Sequence, residues 1–429
     1  MIHPVKGTRD LIYPETEAWR SLEETAHRVL RLFGFTEIRT PVIERTELFA
    51  RSIGDETDIV TKEMYTFADR KGRSLTLRPE NTAGVIRSYV SQGLASSPVH
   101  QRLYYIGPQF RYERPQAGRQ RQFHQLGAEV IGEEAPSCDA EVISSVMVLL
   151  SELGLGGLGV QINSVGCPDC RPAYVEAIRK SLGPVKENLC GDCRRRLDTN
   201  PLRTLDCKVP SCQPLLAAAP AFTDHLCAGC ARHHEGLLEA LGILRIPADE
   251  NPRLVRGLDY YTRTVFEITA RTGGAQDAIL GGGRYDSLVQ ELGGPALPAF
   301  GYAVGLERLL LALERDERPR PAALYLAWLG ETVRLEALRM AGELRHRGIS
   351  VLMEHTPRSL KSSLKRAARM GIRWALIAGE DETKAGAFPL RNLDTSTQES
   401  FTLERIAEIL TDRERSGPEA AATPEEDAP

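Results

Sequence analysis

Residues 99–132 read VHQRLYYIGPQFRYERPQAGRQRQFHQLGAEVIG. Two runs rich in aromatic and β-branched residues flank the polar stretch PQAGRQ at 115–120, so the pattern predicts a long antiparallel hairpin. On a strand, residues two apart share a face. Arg111 and Glu113 then point one way on the outgoing strand, and Phe123, Gln125, Gly127 and Glu129 share a face on the returning one. One face of the hairpin is therefore polar. It reads either as an exposed ladder of cross-strand ion pairs or as an anion site, because Arg114, Arg119 and Arg121 crowd the turn and repel one another unless a negative charge lies between them.

Before the hairpin, Trp19, Leu22, Ala26, Val29, Leu30 and Phe33 recur at helical spacing and stop at Gly34. FTEIRTPVIE, from Phe35, alternates like a strand, and ERTELFARSIGDETDIVTKEMYTF, from Glu44, reads as a polar loop. After the hairpin, Leu254–Thr269 and Ala275–Gly282 read as strands, while FGYAVGLERLLLALER, from Phe300, changes from strand to helix near Gly305. The expectation is an α+β fold, an antiparallel sheet flanked by helices, over residues 1–320. DERPRP at 316–321 is charged and proline-bearing, and the pattern after it turns to strands ALYLAWL, ISVLMEH and WALIAGE with helices between them. That predicts a separate α/β (βαβαβ) domain over 321–412. Residues 413–429 end in SGPEAAATPEEDAP, without apolar periodicity, and are expected to be a disordered tail.

The chain has 429 residues and a net charge of −4, which suits two or three globular domains and leaves any polyanion to be held by local basic surfaces. One such surface is RSLKSSLKRAARMGIR, from Arg358, an amphipathic helix whose outer face carries Lys361, Lys365, Arg366 and Arg369. It reads as a solvated face or as a phosphate-binding one. No apolar run approaches the roughly 18 residues of a membrane span. MIHPVKGTRDLIYP has no signal-peptide core, so a cytoplasmic location without membrane attachment is expected.

FRYERPQAGRQRQFHQ at 110–125 resembles motif 2 of the class II aminoacyl-tRNA synthetases, and FGYAVGLERLL at 300–310 resembles motif 3 of that family. The resemblance implies ATP, with Mg²⁺, bound by Arg111 at the α-phosphate, Glu113 at the adenine amino group, Phe123 stacked on the ring, and Arg119 and Arg308 on the phosphates. Motif 1 is matched by EIRTPVIE around Pro41, which implies a homodimer. Two further runs, TLRPENTAG from Thr76 and LVRGLDYYTRTVFE from Leu254, resemble histidyl-tRNA synthetases in particular. They imply that L-histidine is held by Glu80, Asn81, Thr82, Gln125, Glu129, Arg256, Tyr260 and Tyr261, with Arg256, Arg111 and Arg308 as the catalytic cations. Arg114 and Gln116 of the motif 2 turn would meet histidine tRNA. The βαβαβ unit resembles the family's anticodon-binding domain, which assigns Lys365, Arg366 and Arg369 to tRNA as well. Without the resemblance, RGLDYYTRT is a polar strand. GGGRYD, from Gly281, lacks the third glycine of a dinucleotide loop and reads instead as backbone open to close approach. The rivals are a non-catalytic synthetase-like subunit that accompanies ATP phosphoribosyltransferase, and a class II enzyme for another amino acid.

Eight of nine cysteines fall between Cys167 and Cys230, inside a mainly helical insertion at about 167–245. They form the pairs Cys167/Cys170, Cys190/Cys193, Cys207/Cys212 and Cys227/Cys230, spacings that suit tetrahedral metal. The alternatives are one or two structural Zn²⁺ sites or separately buried, reduced thiols. Cys138 lies outside the cluster and reads as an ordinary residue.

Overall fold

The computed structural model describes residues 2–415 apart from 55, 56, 58, 117, 273, 274 and 314–321. The chain divides into two compact units, Met1–Arg315 and Asp316–Pro429.

In the first unit the described residues build an eight-stranded sheet. Along it lie Thr36–Glu37, Arg102–Phe110, Gln122–Ile131, Ala299–Gly305, Ala275–Arg284, Thr262–Thr272, Gly159–Ser164 and Ala248–Glu250. Only the outermost pair at each edge is parallel. The hairpin forms as its sequence predicts, with Phe110 opposite Gln122 and Leu103 opposite Glu129. Alternation then divides its side chains: Leu126, Ala128 and Val130 join a core with Trp19, Leu22, Val29, Ile143, Val146 and Leu149 from the helices Glu15–Leu32 and Pro136–Glu152. Burying that face leaves Phe123, Gln125 and Glu129 to the other.

Several expectations need correction. FTEIRTPVIE is not one strand: only Thr36–Glu37 and Ile43–Arg45 pair, and in different sheets, because Pro41 between them has no N–H to give a ladder. Within the polar stretch after it, Thr46–Ile53 is a helix. Leu48, Phe49, Ser52 and Ile53 are buried on one helical face, and the charged residues that made the segment look like a loop occupy the other. The run Leu254–Thr269 becomes strand only at Thr262, so Arg256, Tyr260 and Tyr261 stand on an irregular segment. The insertion is mainly helical, with Arg171–Leu182, Gly191–Thr199 and Ala228–Ile243 as its longer helices.

The second unit holds a five-stranded sheet in the order Val351–Met353, Leu324–Trp328, Trp374–Ala378, Phe388–Asn392, Gln398–Phe401. The first three strands are parallel, the expected βαβαβ, and the last two are antiparallel additions absent from the sequence reading. The last helix, Leu403–Arg415, runs into the stretch read as tail, and residues 416–429 lie outside those described. The basic helix spans Leu360–Arg369 and starts at Ser359, whose side chain accepts from the Ser362 N–H. Its charge is less open than the sequence suggests: Glu354, on the chain before it, pairs with both Arg358 and Arg366.

Candidate active site

The polar face of the first unit's sheet floors a cavity of about 440 Å³. Register explains why residues distant in sequence meet there. Glu129 lies opposite Gly301, Gln125 opposite Gly305, Ala303 opposite Gly281, and Gly281 opposite Glu267. Two of these glycines make room for the side chains that lie over them. A Cβ on Gly301 would overlap the Glu129 carboxylate, and one on Gly281 would overlap the Arg256 guanidinium, so both large polar side chains lie across bare backbone.

Glu80 and Thr82 enter from the start of the helix Thr82–Ser91. Glu80 accepts the N–H groups of Thr82 (2.7 Å) and Ala83 (3.0 Å), two of the amides a helix start leaves open. Thr82 Oγ1 donates to Glu129 at 2.7 Å, and Tyr285 Oη donates to the other Glu129 oxygen. Glu129 is 1% exposed. Burial pushes its carboxyl up to about 8 despite the donors from Tyr285 and Thr82, and the nearby Glu80 adds to the rise. Burial also raises Glu80, against the pull of its two backbone donors and the Arg111 charge. Tyr260 stacks at a tilt against Tyr261, ring centroids 4.8 Å apart, and meets Tyr285 edge-on at 5.5 Å.

At the hairpin end, the strand stops at Phe110, yet Arg111 and Glu113 still face the cavity together, 3.9 Å apart. Arg111 Nε donates to the Pro79 carbonyl, which aims its guanidinium over the Phe123 ring at 5.3 Å. Arg119 reaches Glu113 at 3.6 Å, and Arg121 lies over Tyr112 at 4.1 Å, so two of the turn's arginines have partners within the chain. Arg308, on the helix Leu306–Ala312, also lines the cavity. Gln125 Oε1 is buried without a hydrogen-bond partner among the described residues, at the cavity wall.

Of the residues assigned to the site, Glu80, Thr82, Arg111, Glu113, Arg119, Phe123, Gln125, Glu129, Arg256, Tyr260, Tyr261 and Arg308 all line the one cavity. Asn81 does not. Its Oδ1 accepts from Thr40 at 2.5 Å and Arg78 at 3.2 Å, which turns the side chain into the protein as a strut for the turn. Arg114 and Gln116 are exposed at the hairpin turn, outside the cavity lining. The sequence reading assigns no role to Tyr285 or Glu267. Tyr285 holds Glu129, and Glu267 pairs with Arg256. Their signals were at hand: GGGRYD, read for its glycines, contains the tyrosine, and LVRGLDYYTRTVFE ends on the glutamate.

The insertion's cysteines gather in two fours, Cys167/Cys170/Cys227/Cys230 and Cys190/Cys193/Cys207/Cys212, each with all sulfurs within 4.8 Å of one another. All eight are reduced, but they are not separately buried. Backbone N–H bonds, chiefly from Cys193 and from Cys230, pull Cys190 and Cys227 down to about 7, while burial raises Cys170, Cys193, Cys212 and Cys230. Four thiols so close ionise together only around a cation, and each group has the donor set to hold a metal ion.

A sheet whose long hairpin, glycine floor and strand-to-helix turn converge arginines on one cavity defines a class II aminoacyl-tRNA synthetase. A family model described as Histidyl-tRNA synthetase matches residues 7–309, and one described as Anticodon binding domain matches 324–413. The chain belongs to the histidyl-tRNA synthetase family, and its activity is that of a histidine–tRNA ligase. Histidine–tRNA ligases of Geobacter metallireducens and Thermotoga maritima are each 48% identical to it, over 95% of this chain and 98% of theirs. The solved apo histidyl-tRNA synthetase of S. aureus superposes with a TM-score of 0.80 at 37% identity, covering 96% of this chain and 100% of that one. A Bacillus halodurans structure titled an ATP phosphoribosyltransferase regulatory subunit/histidyl-tRNA synthetase, 21% identical with a TM-score of 0.68 over 88% of this chain and 98% of that one, shares the fold. No helix among the described residues is long and apolar enough to cross a membrane.

Proposed function

We propose that the cavity performs both steps of the ligation. ATP and L-histidine give histidyl-adenylate and pyrophosphate, and the acyl group then moves to the 3′ end of histidine tRNA. The observation that supports this best is the sorting of charge within one cavity: Arg111, Arg256 and Arg308 line it together with the buried carboxyls of Glu80 and Glu129. Arginines suit a triphosphate and a substrate carboxylate, and carboxyls suit an ammonium and an imidazole N–H.

In this reading Glu80 and Thr82, with Gln125, take the α-amino group, Glu129 takes a ring nitrogen, and Tyr260 and Tyr261 wall the imidazole. Arg111 and Arg256 hold the α-phosphate while the histidine carboxylate attacks in line, and the charge that grows on the phosphoryl oxygens meets guanidiniums already in place. Arg308 takes the γ-phosphate with help from Arg119. Adenine lies on Phe123, with its amino group at Glu113. Mg²⁺ arriving with ATP would offset the charge of the triphosphate oxygens. Each cysteine four holds one structural Zn²⁺. The catalytic domain is 1–320, with its insertion at about 167–245, and the anticodon-binding domain is 321–412. The chain works as a cytoplasmic homodimer packed around Pro41.

Pyrophosphate exchange measured across all amino acids is expected to respond to histidine, and equal exchange with another amino acid would sink the assignment of the pocket. For tRNA, the proposal uses Arg114 and Gln116 at the exposed turn and Lys365, Arg366 and Arg369 on the basic helix. Lys365→Ala with Arg369→Ala should raise the KM for tRNA about tenfold and leave exchange unchanged. Arg366→Ala should do less, because Glu354 already pairs with Arg366. A tRNA KM that does not move removes the helix from the RNA surface.

A further inference from the structure

We infer that the two cysteine fours are metal clamps on the segment 254–261, which carries Arg256, Tyr260 and Tyr261, and that one of them also presents Lys208 to the reaction cavity. The inference rests on the histidine reading of the cavity given above.

The sulfur geometry fits metal. A tetrahedral Zn²⁺ with bonds of about 2.3 Å needs sulfurs about 3.8 Å apart. Cys167 lies 3.6 Å from Cys170 and 3.9 Å from Cys227, and Cys190 lies 3.9 Å from Cys207. Backbone N–H groups add to the thiolate environment: Cys227 N–H points to Cys170 Sγ at 3.1 Å and Cys190 N–H to Cys212 Sγ at 3.2 Å. Each site joins chain segments distant in sequence, so it fastens the insertion as well as filling it.

The segment 254–261 has no helix or strand of its own to hold its shape. Glu267, Asn163 and the Ile53 carbonyl hold it at three points, and further tethers come from beside the cysteines. Arg171, the residue after Cys170, donates to the Tyr261 carbonyl, and the Gly166 carbonyl, just before Cys167, accepts the N–H of Arg263 at 2.8 Å, in the strand that directly follows the segment. Near the other four, Asn200 and Arg203 hold the Asp259 carboxylate at 3.3 and 3.5 Å. Asp206 and Lys208, on either side of Cys207, line the cavity itself. Lys208 thus adds to the cavity lining a cation that no synthetase motif in the sequence supplies. The insertion's apolar core, with Tyr174, Ile178, Leu182, Leu197 and Phe222, is shared with cysteines, five of which are buried in the same cluster. Metal bonds supply the rigidity that a larger core would otherwise give.

The full-length protein purified without chelator should carry two Zn²⁺ per chain by elemental analysis. Cys207→Ser with Cys212→Ser should carry one, and amide exchange across 254–261 should quicken about tenfold or more. Arg203→Ala should keep both ions and still loosen the segment. If the cysteine variant does not fold, chelation of the wild type followed by Zn²⁺ repletion should loosen and then restore the same amides. Less than one metal per chain, with all eight thiols alkylated under native conditions, overturns the sites. Loss of metal without a change in exchange at 254–261 overturns the clamp. Lys208→Ala should keep two ions and raise the KM for ATP about tenfold with the histidine KM unchanged; an unmoved ATP KM removes Lys208 from the site. Amide exchange and metal content do not depend on which amino acid is activated, so failure of the histidine reading would show separately, in pyrophosphate exchange by the metal-replete wild type.

Discussion

The cavity has two halves held by different means. Phe123, Gln125 and Glu129 project from a strand whose ladders run to both neighbours, so backbone hydrogen bonds fix where each side chain starts. Arg256, Tyr260 and Tyr261 project from a segment without ladders, placed by side-chain tethers to Arg171, Arg203, Asn200 and Glu267. Ladder geometry is cooperative and resists a single side-chain change. A tethered segment depends on each contact.

The largest effect should follow loss of the cation that the tethered half delivers. In the proposed reading the Arg256 guanidinium meets charge that appears only as the phosphorus is attacked, and Arg256→Ala is then expected to lower pyrophosphate exchange about 10³-fold. Persistent exchange would show that Arg111 suffices. Gly301→Ala attacks the ladder half without replacing a functional side chain. Its methyl would overlap the Glu129 carboxylate and the Ala128 carbonyl, so the acid must leave its rotamer and the strand must give locally, and histidine kcat/KM should fall about 10²-fold. If Gly301→Ala were neutral, the sheet would be softer than its ladders imply, and the contrast between the halves would fail.

The two halves also differ in how much of them the sequence discloses. Alternation along 99–132 places Gln125 and Glu129 on one face before any coordinates, because a strand's period is two and its register follows from burying Leu126, Ala128 and Val130. The segment 254–261 has no period to read. There the resemblance supplies the residues but not their setting, and a strand was expected where tethers do the holding. Asn81 fails for a related reason: the motif lists neighbours along the chain, while the turn at Pro79 sends Glu80 and Thr82 into the cavity and Asn81 toward Thr40. Cysteine spacing shows pairs, but which pairs combine depends on how the insertion folds back, and it joins first to last.

The smallest expected effect concerns proton binding by the ladder half. Burial holds Glu129 at about 8 in the fold, against an ordinary 4.5. Between those values the folded chain binds a proton that the unfolded chain has released, so stability falls as pH rises through the window, by at most about 1.4 kcal/mol per pH unit for this one group. Below about 4.5 both states are protonated and the dependence vanishes. Glu80, raised in the same direction, adds to the slope. Glu129→Gln keeps the shape but cannot titrate, and one of the Thr82 and Tyr285 hydroxyls must turn to accept from its amide N–H, so denaturant midpoints of the variant should vary less between pH 5 and 8 than those of the wild type. Equal slopes for the two would mean that Glu129 is ionised in the empty cavity, its charge carried by the Thr82 and Tyr285 hydroxyls. The acid would then meet histidine as a ready acceptor, with no proton to release before the imidazole N–H can bind.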